Sequence, residues 1–200
     1  MVPTTYKKAL ATDKTDEAAL VKQIVNGHTE LFGVLVHRYK DVSLSLACGI
    51  LGSGPLAEDV LQDAFLKAYS SLHRFKQKAA FSTWLYRIVV NTAYNALKKQ
   101  QVRAAASIDQ GQALQLPDTS QGQATAANER RQIIQAVLNS MKPKAALLLR
   151  LYYLGEQSVA EITDITGMRQ SQVKVGLHRA RQQFKEIIEA RLGHEIEQLL

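Results

Sequence analysis

Cysteine is all but missing from this chain: Cys48 is the single one among 200 residues. No internal disulfide can form, and a zinc cluster built on paired cysteines is excluded. Cys48 lies among Leu46, Ala47, Ile50 and Leu51, where a small thiol is expected as core and not as a nucleophile. Long apolar runs are also missing. No stretch reaches the roughly 18 residues of a membrane span, and the N-terminus lacks the apolar segment of a signal peptide, so a cytoplasmic location is expected. There is no nucleophile triad, no glycine-rich phosphate loop and no convergent acid pair. Glu58 and Asp59 are adjacent on a helix and diverge, which is poor geometry for acid–base work. The pattern therefore implies no enzyme, no cofactor, no bound metal and no small-molecule substrate. Acids are outnumbered: 25 Lys and Arg face 18 Asp and Glu, a formal net charge of +7. That balance favours an anionic partner, nucleic acid or a membrane surface.

What is present is helical periodicity. Residues 1–15 read as a loose tail. A short helix from about Asp16 to Val25 stops at Asn26-Gly27. A longer one runs from Thr29 to Leu51, with Leu31, Leu35, Tyr39, Val42 and Leu46 at helical spacing. The break Gly52-Ser53-Gly54 ends it. Pro55 opens a third helix, where its missing N–H costs nothing, and Leu56, Val60, Ala64, Ala68 and Leu72 form its inner face. A fourth helix is expected from about Ser82 to Gln100. Residues 101–127 carry few large apolar groups and read as a linker that cannot offset its own ordering entropy. A second block, 128–194, begins with a helix burying Ile133, Ile134, Val137 and Leu138. A helix from Pro143 to Leu154 follows, ended by Gly155. The fold class is all-α: two small helical domains, 16–100 and 128–194, joined by a flexible linker.

The second block carries a helix-turn-helix pattern. Ser158 and Glu161 form an S-x-x-E capping box. The short helix after them stops at Thr166-Gly167, where glycine allows a sharp turn in which a Cβ would clash. The last helix, from Gln170 past Arg191, segregates an apolar stripe (Val173, Leu177, Ala180, Phe184, Ile187) from an exposed one. Ser171, Gln172, Lys174, His178, Arg179 and Arg181 are the candidate DNA-contacting residues there. Lys174 and His178 sit where a recognition helix reaches base edges, and Arg179 and Arg181 suit phosphates.

The first block shows a different chemistry. Phe81, Trp84, Tyr86 and Tyr94 alternate with Arg74, Lys76, Lys78, Arg87 and Lys98. Aromatics interleaved with cations suit unpaired bases, each stacked base contributing about 1–3 kcal/mol. Asn91 and Asn95 supply the donors and acceptors that base edges require. Phe81 and Trp84 are equally readable as core. Two rival functions fit parts of this pattern: a conventional duplex-binding regulator with a sensor or dimerisation block, and a protein-interaction module with incidental charge.

The run Ala57-Glu58-Asp59-Val60-Leu61-Gln62-Asp63-Ala64-Phe65-Leu66-Lys67-Ala68-Tyr69, followed by Phe81-Ser82-Thr83-Trp84-Leu85-Tyr86-Arg87-Ile88-Val89-Val90-Asn91, resembles region 2 of bacterial sigma factors. The small extracytoplasmic-function class is the nearest in kind. Residues 158–162 and 173–181 are similar to region 4 of that sigma-70 family, and the order and linker agree. The resemblance implies that Glu58, Asp59, Gln62, Asp63 and Phe65 dock on the clamp helices of core RNA polymerase. It implies that the loop at 73–80 captures a flipped −10 base, and that Arg87, Asn91 and Asn95 contact −10 DNA. Lys174, His178 and Arg179 would read the −35 element, and an anti-sigma factor would hold the protein inactive. Val175-Gly176 departs from the Ser-Arg of many members, placing in the recognition helix a glycine that costs about 1 kcal/mol. Pro143 stands one place later than the common Leu-Pro pattern.

Overall fold

The computed structural model describes residues 17–52, 54–106 and 126–199, and every regular element among them is helical. The expected tail at 1–15, Ser53 and most of the expected linker lie outside those residues.

Helix α1 (Glu17–Val25) ends at Asn26-Gly27, where Gly27 takes φ 112°. A 3₁₀ turn (Thr29–Leu31) runs into α2 (Phe32–Leu51). Of the residues at helical spacing, Leu31, Leu35, Tyr39 and Leu46 are buried and Val42 is half-buried. Cys48 is only partly buried, and desolvation raises its thiol pKa. Helix α3 (Gly54–Ser71) buries Val60, Ala64 and Ala68, and Leu72 continues the stripe into a 3₁₀ turn (Leu72–Arg74). Helix α4 (Phe81–Ala106) outruns the expected end at Gln100 by more than a turn. Residues 101–106 contain no breaker and three alanines, so nothing in the local chemistry stops it. Helices α2, α3 and α4 pack pairwise into the first block.

The second block comprises α5 (Ala126–Ser140), α6 (Pro143–Leu149), α7 (Val159–Thr166) and α8 (Gln170–Leu199). Helix α6 does not continue regularly to Leu154. It widens into a π-helical turn over Arg150–Leu154, where the Gly155 N–H donates to the Arg150 carbonyl at 2.9 Å. The expected buried face of α5 is only half right. Val137 and Leu138 are buried, but Ile133 and Ile134 are 39% and 40% exposed. The helix meets its block through its last turns and Met141, so the preceding turn is left uncovered.

The two blocks also pack on each other. Helix α2 lies against α6 and the π-helical turn, α4 lies against α7, and one apolar cluster runs through both blocks. At this seam Arg150 is fully buried. Its Nε donates to Ser45 Oγ at 3.1 Å and its Nη2 to Asn139 Oδ1 at 2.7 Å. A Cβ on Gly49 would stand 2.7 Å from Nη1, so only glycine leaves room for the guanidinium. Burial lowers the Arg150 pKa to about 10, which keeps the group charged at neutral pH. Nearby, the buried Thr83 hydroxyl donates to Gln157 Oε1 at 2.8 Å, and Gln157 Nε2 donates to the Gly155 carbonyl at 2.7 Å.

Candidate nucleic-acid interfaces

Helix α4 is buried over much of its circumference because α2 and α3 cover one side and α7 covers its N-terminal half. One strip escapes. Arg87, Asn91, Tyr94, Asn95 and Lys98 are three or four residues apart and all exposed. Arg74, Lys76 and Lys78 are exposed in the stretch before the helix, with Arg74 Nε donating to His73 Nε2 at 3.3 Å. Asn95 also lines a cleft of about 400 Å³ between α3 and α4, shared with Asp59, Asp63, Lys99 and Arg103.

The aromatics divide. Phe81 and Tyr86 are each 2% exposed and pack on Tyr39, with centroids 5.5 and 6.0 Å away. They are core, which corrects a base-stacking role for either. Desolvation accordingly pushes the Tyr86 hydroxyl above its ordinary pKa. Trp84 is half-buried, its ring 5.1 Å from Phe75 and 5.6 Å from Phe81. Tyr94 is 42% exposed. Only these two of the four aromatics retain accessible ring surface on α4.

On α3, Glu58, Asp59, Gln62 and Asp63 are exposed. Phe65 is not: it is 7% exposed and meets Phe32 edge-on at 6.4 Å, so it supports the surface from beneath. The apolar groups presented outward are Leu66 and Tyr69, which sequence reasoning passed over. Their signal was available, since they follow Gln62 at i+4 and i+7. With Phe32, Val36 and Lys40 they border a shallow groove between α2 and α3.

In the second block the capping box forms as its residues predict. The Glu161 N–H donates to Ser158 Oγ at 3.3 Å, and the Ser158 N–H donates to Glu161 Oε2 at 2.8 Å. Gly167 sits at φ 70°, and no neighbouring atom lies within 4 Å of where its Cβ would stand. The left-handed backbone requires the glycine, not the space around it. In α8, Val173, Leu177 and Ala180 are buried, while Ser171, Gln172, Lys174, His178, Arg179 and Arg181 are exposed. Two of the exposed six are already engaged. Gln172 Oε1 accepts from the Arg169 N–H at 3.0 Å and so caps the start of the helix. Arg181 Nε donates to Tyr153 Oη at 2.8 Å. Sequence reasoning missed Tyr153; Val175, part of the departure noted in the sequence, is 50% exposed in the middle of the polar face. Gly176 has a packing reason for its place: a Cβ there would stand 2.5 Å from Leu148 Cδ1, so its absence lets α6 approach α8.

Comparison with known proteins agrees with this layout. Residues 35–103 match the family model of Sigma-70 region 2, and residues 131–184 match that of Sigma-70, region 4. The chain is 32% identical to the ECF RNA polymerase sigma-E factor of Escherichia coli, over 86% of this chain and 93% of that protein. It is 29% identical to the ECF RNA polymerase sigma factor SigW of Bacillus subtilis, over 83% and 93%. Among solved structures, the sigma factor RpoE of Bartonella quintana, in complex with the anti-sigma factor NepR, superposes with a TM-score of 0.65. It is 19% identical over 79% of this chain and 96% of that one. CnrH, in complex with the cytosolic domain of CnrY, gives 0.61 at 20% identity over 86% and 96%. Each block by itself would fit several functions, but both together, in this order and over nearly the full length of sigma factors, fit one. The chain belongs to the sigma-70 family, in its extracytoplasmic-function class, and is a promoter-recognising sigma factor of RNA polymerase.

Proposed function

We propose that the three exposed faces divide the work of promoter opening. The α4 strip holds −10 DNA at the edge of melting, with Asn91 and Asn95 addressing base edges and Tyr94 and Trp84 offering ring surface. Arg74, Lys76, Lys78, Arg87 and Lys98 neutralise the backbone. The α8 face enters the −35 major groove, led by Ser171, Lys174 and His178. Glu58, Asp59, Gln62 and Asp63 on α3 meet the polymerase clamp helices, together with Leu66 and Tyr69. Residues 16–100 and 128–194 act as the two functional domains. The protein works in the cytoplasm by binding and not by covalent chemistry. One relative is solved in complex with an anti-sigma factor, and a partner of that kind for this chain follows the same pattern.

The observation that carries the reading is the α4 strip. Between Phe81 and Lys98 the exposed residues are these five, all polar or aromatic and all on one side of the helix, which a purely structural helix would not require. The test is a paired substitution measured with purified core polymerase. Asn91→Ala with Asn95→Ala should reduce open-complex formation at least tenfold, with core association unchanged. Asp59→Ala with Gln62→Ala should weaken core association instead. Equal behaviour of the two pairs would refute the division of labour.

A further inference from the structure

Arg181 is one of the exposed basic residues of α8, yet its side chain is not loose. Its Nε donates to Tyr153 Oη at 2.8 Å. Its guanidinium carbon lies 5.1 Å from the ring centroid of Tyr152 and 5.7 Å from that of Tyr153. The two rings stand edge to face, 4.9 Å apart, and form a corner into which the guanidinium fits. Tyr153 is 57% exposed and projects from the π-helical turn Arg150–Leu154, a distortion that re-aims side chains relative to a regular helix. Arg181 makes no ion pair among the described residues. The contact with Tyr153 uses one of the guanidinium's five N–H donors, and the four on its terminal nitrogens are left for another acceptor.

A planar fork with free donors, no carboxylate and a fixed plane is suited to bidentate capture of a phosphate. Its place on α8 agrees. Arg181 follows His178 by three residues and Lys174 by seven, so it shares their side of the helix one and two turns further on. Residues at the start of a recognition helix meet base edges, while those further along meet the backbone of the groove wall.

We propose that Tyr153 is a positioning residue for −35 recognition: its hydroxyl and the Tyr152–Tyr153 corner hold the Arg181 fork ready for a DNA backbone phosphate. This rests on the reading of α8 as the −35 helix. Free arginine loses much side-chain freedom on binding, and a fork held beforehand loses less. Tyr153 therefore strengthens promoter binding without touching DNA.

The experiment uses holoenzyme reconstituted with core polymerase and a promoter fragment mapped by run-off transcription with the same holoenzyme. Affinity is measured against salt for the wild-type chain, Tyr153→Phe, Arg181→Ala, their double variant and Lys174→Ala. Tyr153→Phe keeps both rings and removes only the hydroxyl; the melting temperature of each free variant checks the fold. Arg181→Ala should weaken binding and flatten the slope of log affinity against log salt by about 0.9. Tyr153→Phe should weaken binding about fivefold in the wild-type background and have no effect once Arg181 is alanine. Replacing single phosphates beside the −35 element with methylphosphonate should abolish the Tyr153 effect at one position. If Arg181 and Lys174 both matter but Tyr153→Phe is silent, or acts equally without Arg181, the positioning role is wrong. If Tyr153→Phe tightens binding, the tyrosine withholds the arginine and the proposal is overturned. If neither Lys174 nor Arg181 matters, the −35 reading has failed, and the positioning role with it.

Discussion

Glycine has three different reasons for its positions here, and a single residue type does not reveal which applies. At Gly167 the reason is backbone conformation, since φ is 70° and the space around it is open. At Gly49 it is room for a buried guanidinium, and at Gly176 it is the approach of Leu148. At Gly155 it is again the close approach of neighbours. Its φ of −85° suits any residue, but a Cβ would stand 2.9 Å from the Leu151 carbonyl oxygen and 3.1 Å from a Tyr86 ring carbon. The carbonyl is backbone and Tyr86 is core, so neither moves easily. Gly155→Ala should destabilise the protein by about 1–3 kcal/mol, read as a lower urea midpoint at unchanged slope. A stability equal to wild type would show that the seam between the blocks gives way at this point. The glycine's role as a helix stop was legible in the sequence. The contact across to Tyr86, from a residue far away in the chain, was not.

At the scale of the helix, periodicity told which residues share a face but not how many faces are covered. On α2 and α3 most of the residues at helical spacing are buried. The spacing argument failed on α4, where Tyr86 looks eligible for a surface and is 2% exposed because it packs on Tyr39 and beside Gly155 of the second block. It failed in the opposite sense on α5, where Ile133 and Ile134 have the right spacing but no partner surface. The polar strip of α4 was legible because it lies opposite both covers. Helix α3 offers a direct check on such face assignments. Phe65→Ala removes a buried ring and should cost about 3–5 kcal/mol. Leu66→Ser alters an exposed group and should change stability by about 0.5 kcal/mol or less. Tyr69→Ser also loses the edge-on contact of its ring with Phe32 at 5.0 Å and should cost about 0.5–1.5 kcal/mol. Both should weaken core-polymerase association. The assignment fails if thermal melts rank these variants in the reverse order, or if the serine variants bind core normally.

Across the whole molecule, the shared apolar cluster joins two blocks that the family models match separately. The free protein should therefore unfold in one calorimetric transition, with its calorimetric and van't Hoff enthalpies equal. Arg150 is the weak member of that seam. Its pKa is lower in the folded chain than in the unfolded one, so the folded state binds the proton less tightly. The resulting penalty is fully present at neutral pH and is relieved only as pH rises through about 10. An apolar side chain of similar length avoids the penalty, because replacing a buried charge with a packed hydrophobic residue is neutral or stabilising. Arg150→Met should keep or raise the melting temperature, whereas Gly49→Ala should lower it by expelling the guanidinium. A Met variant that melts well below wild type would mean that the bonds to Ser45 and Asn139 outweigh desolvation.

Seams lined only with aliphatic groups resist parting at every step, since each exposed methylene adds to the cost. Here solvent that reaches the buried Arg150 meets a cation with no carboxylate bound to it among the described residues, and hydrating it offsets part of the cost of the apolar contact being lost. The two halves of this sigma factor are thus held firmly enough to fold as one body, yet the bond between them becomes easier to undo once it has started to give.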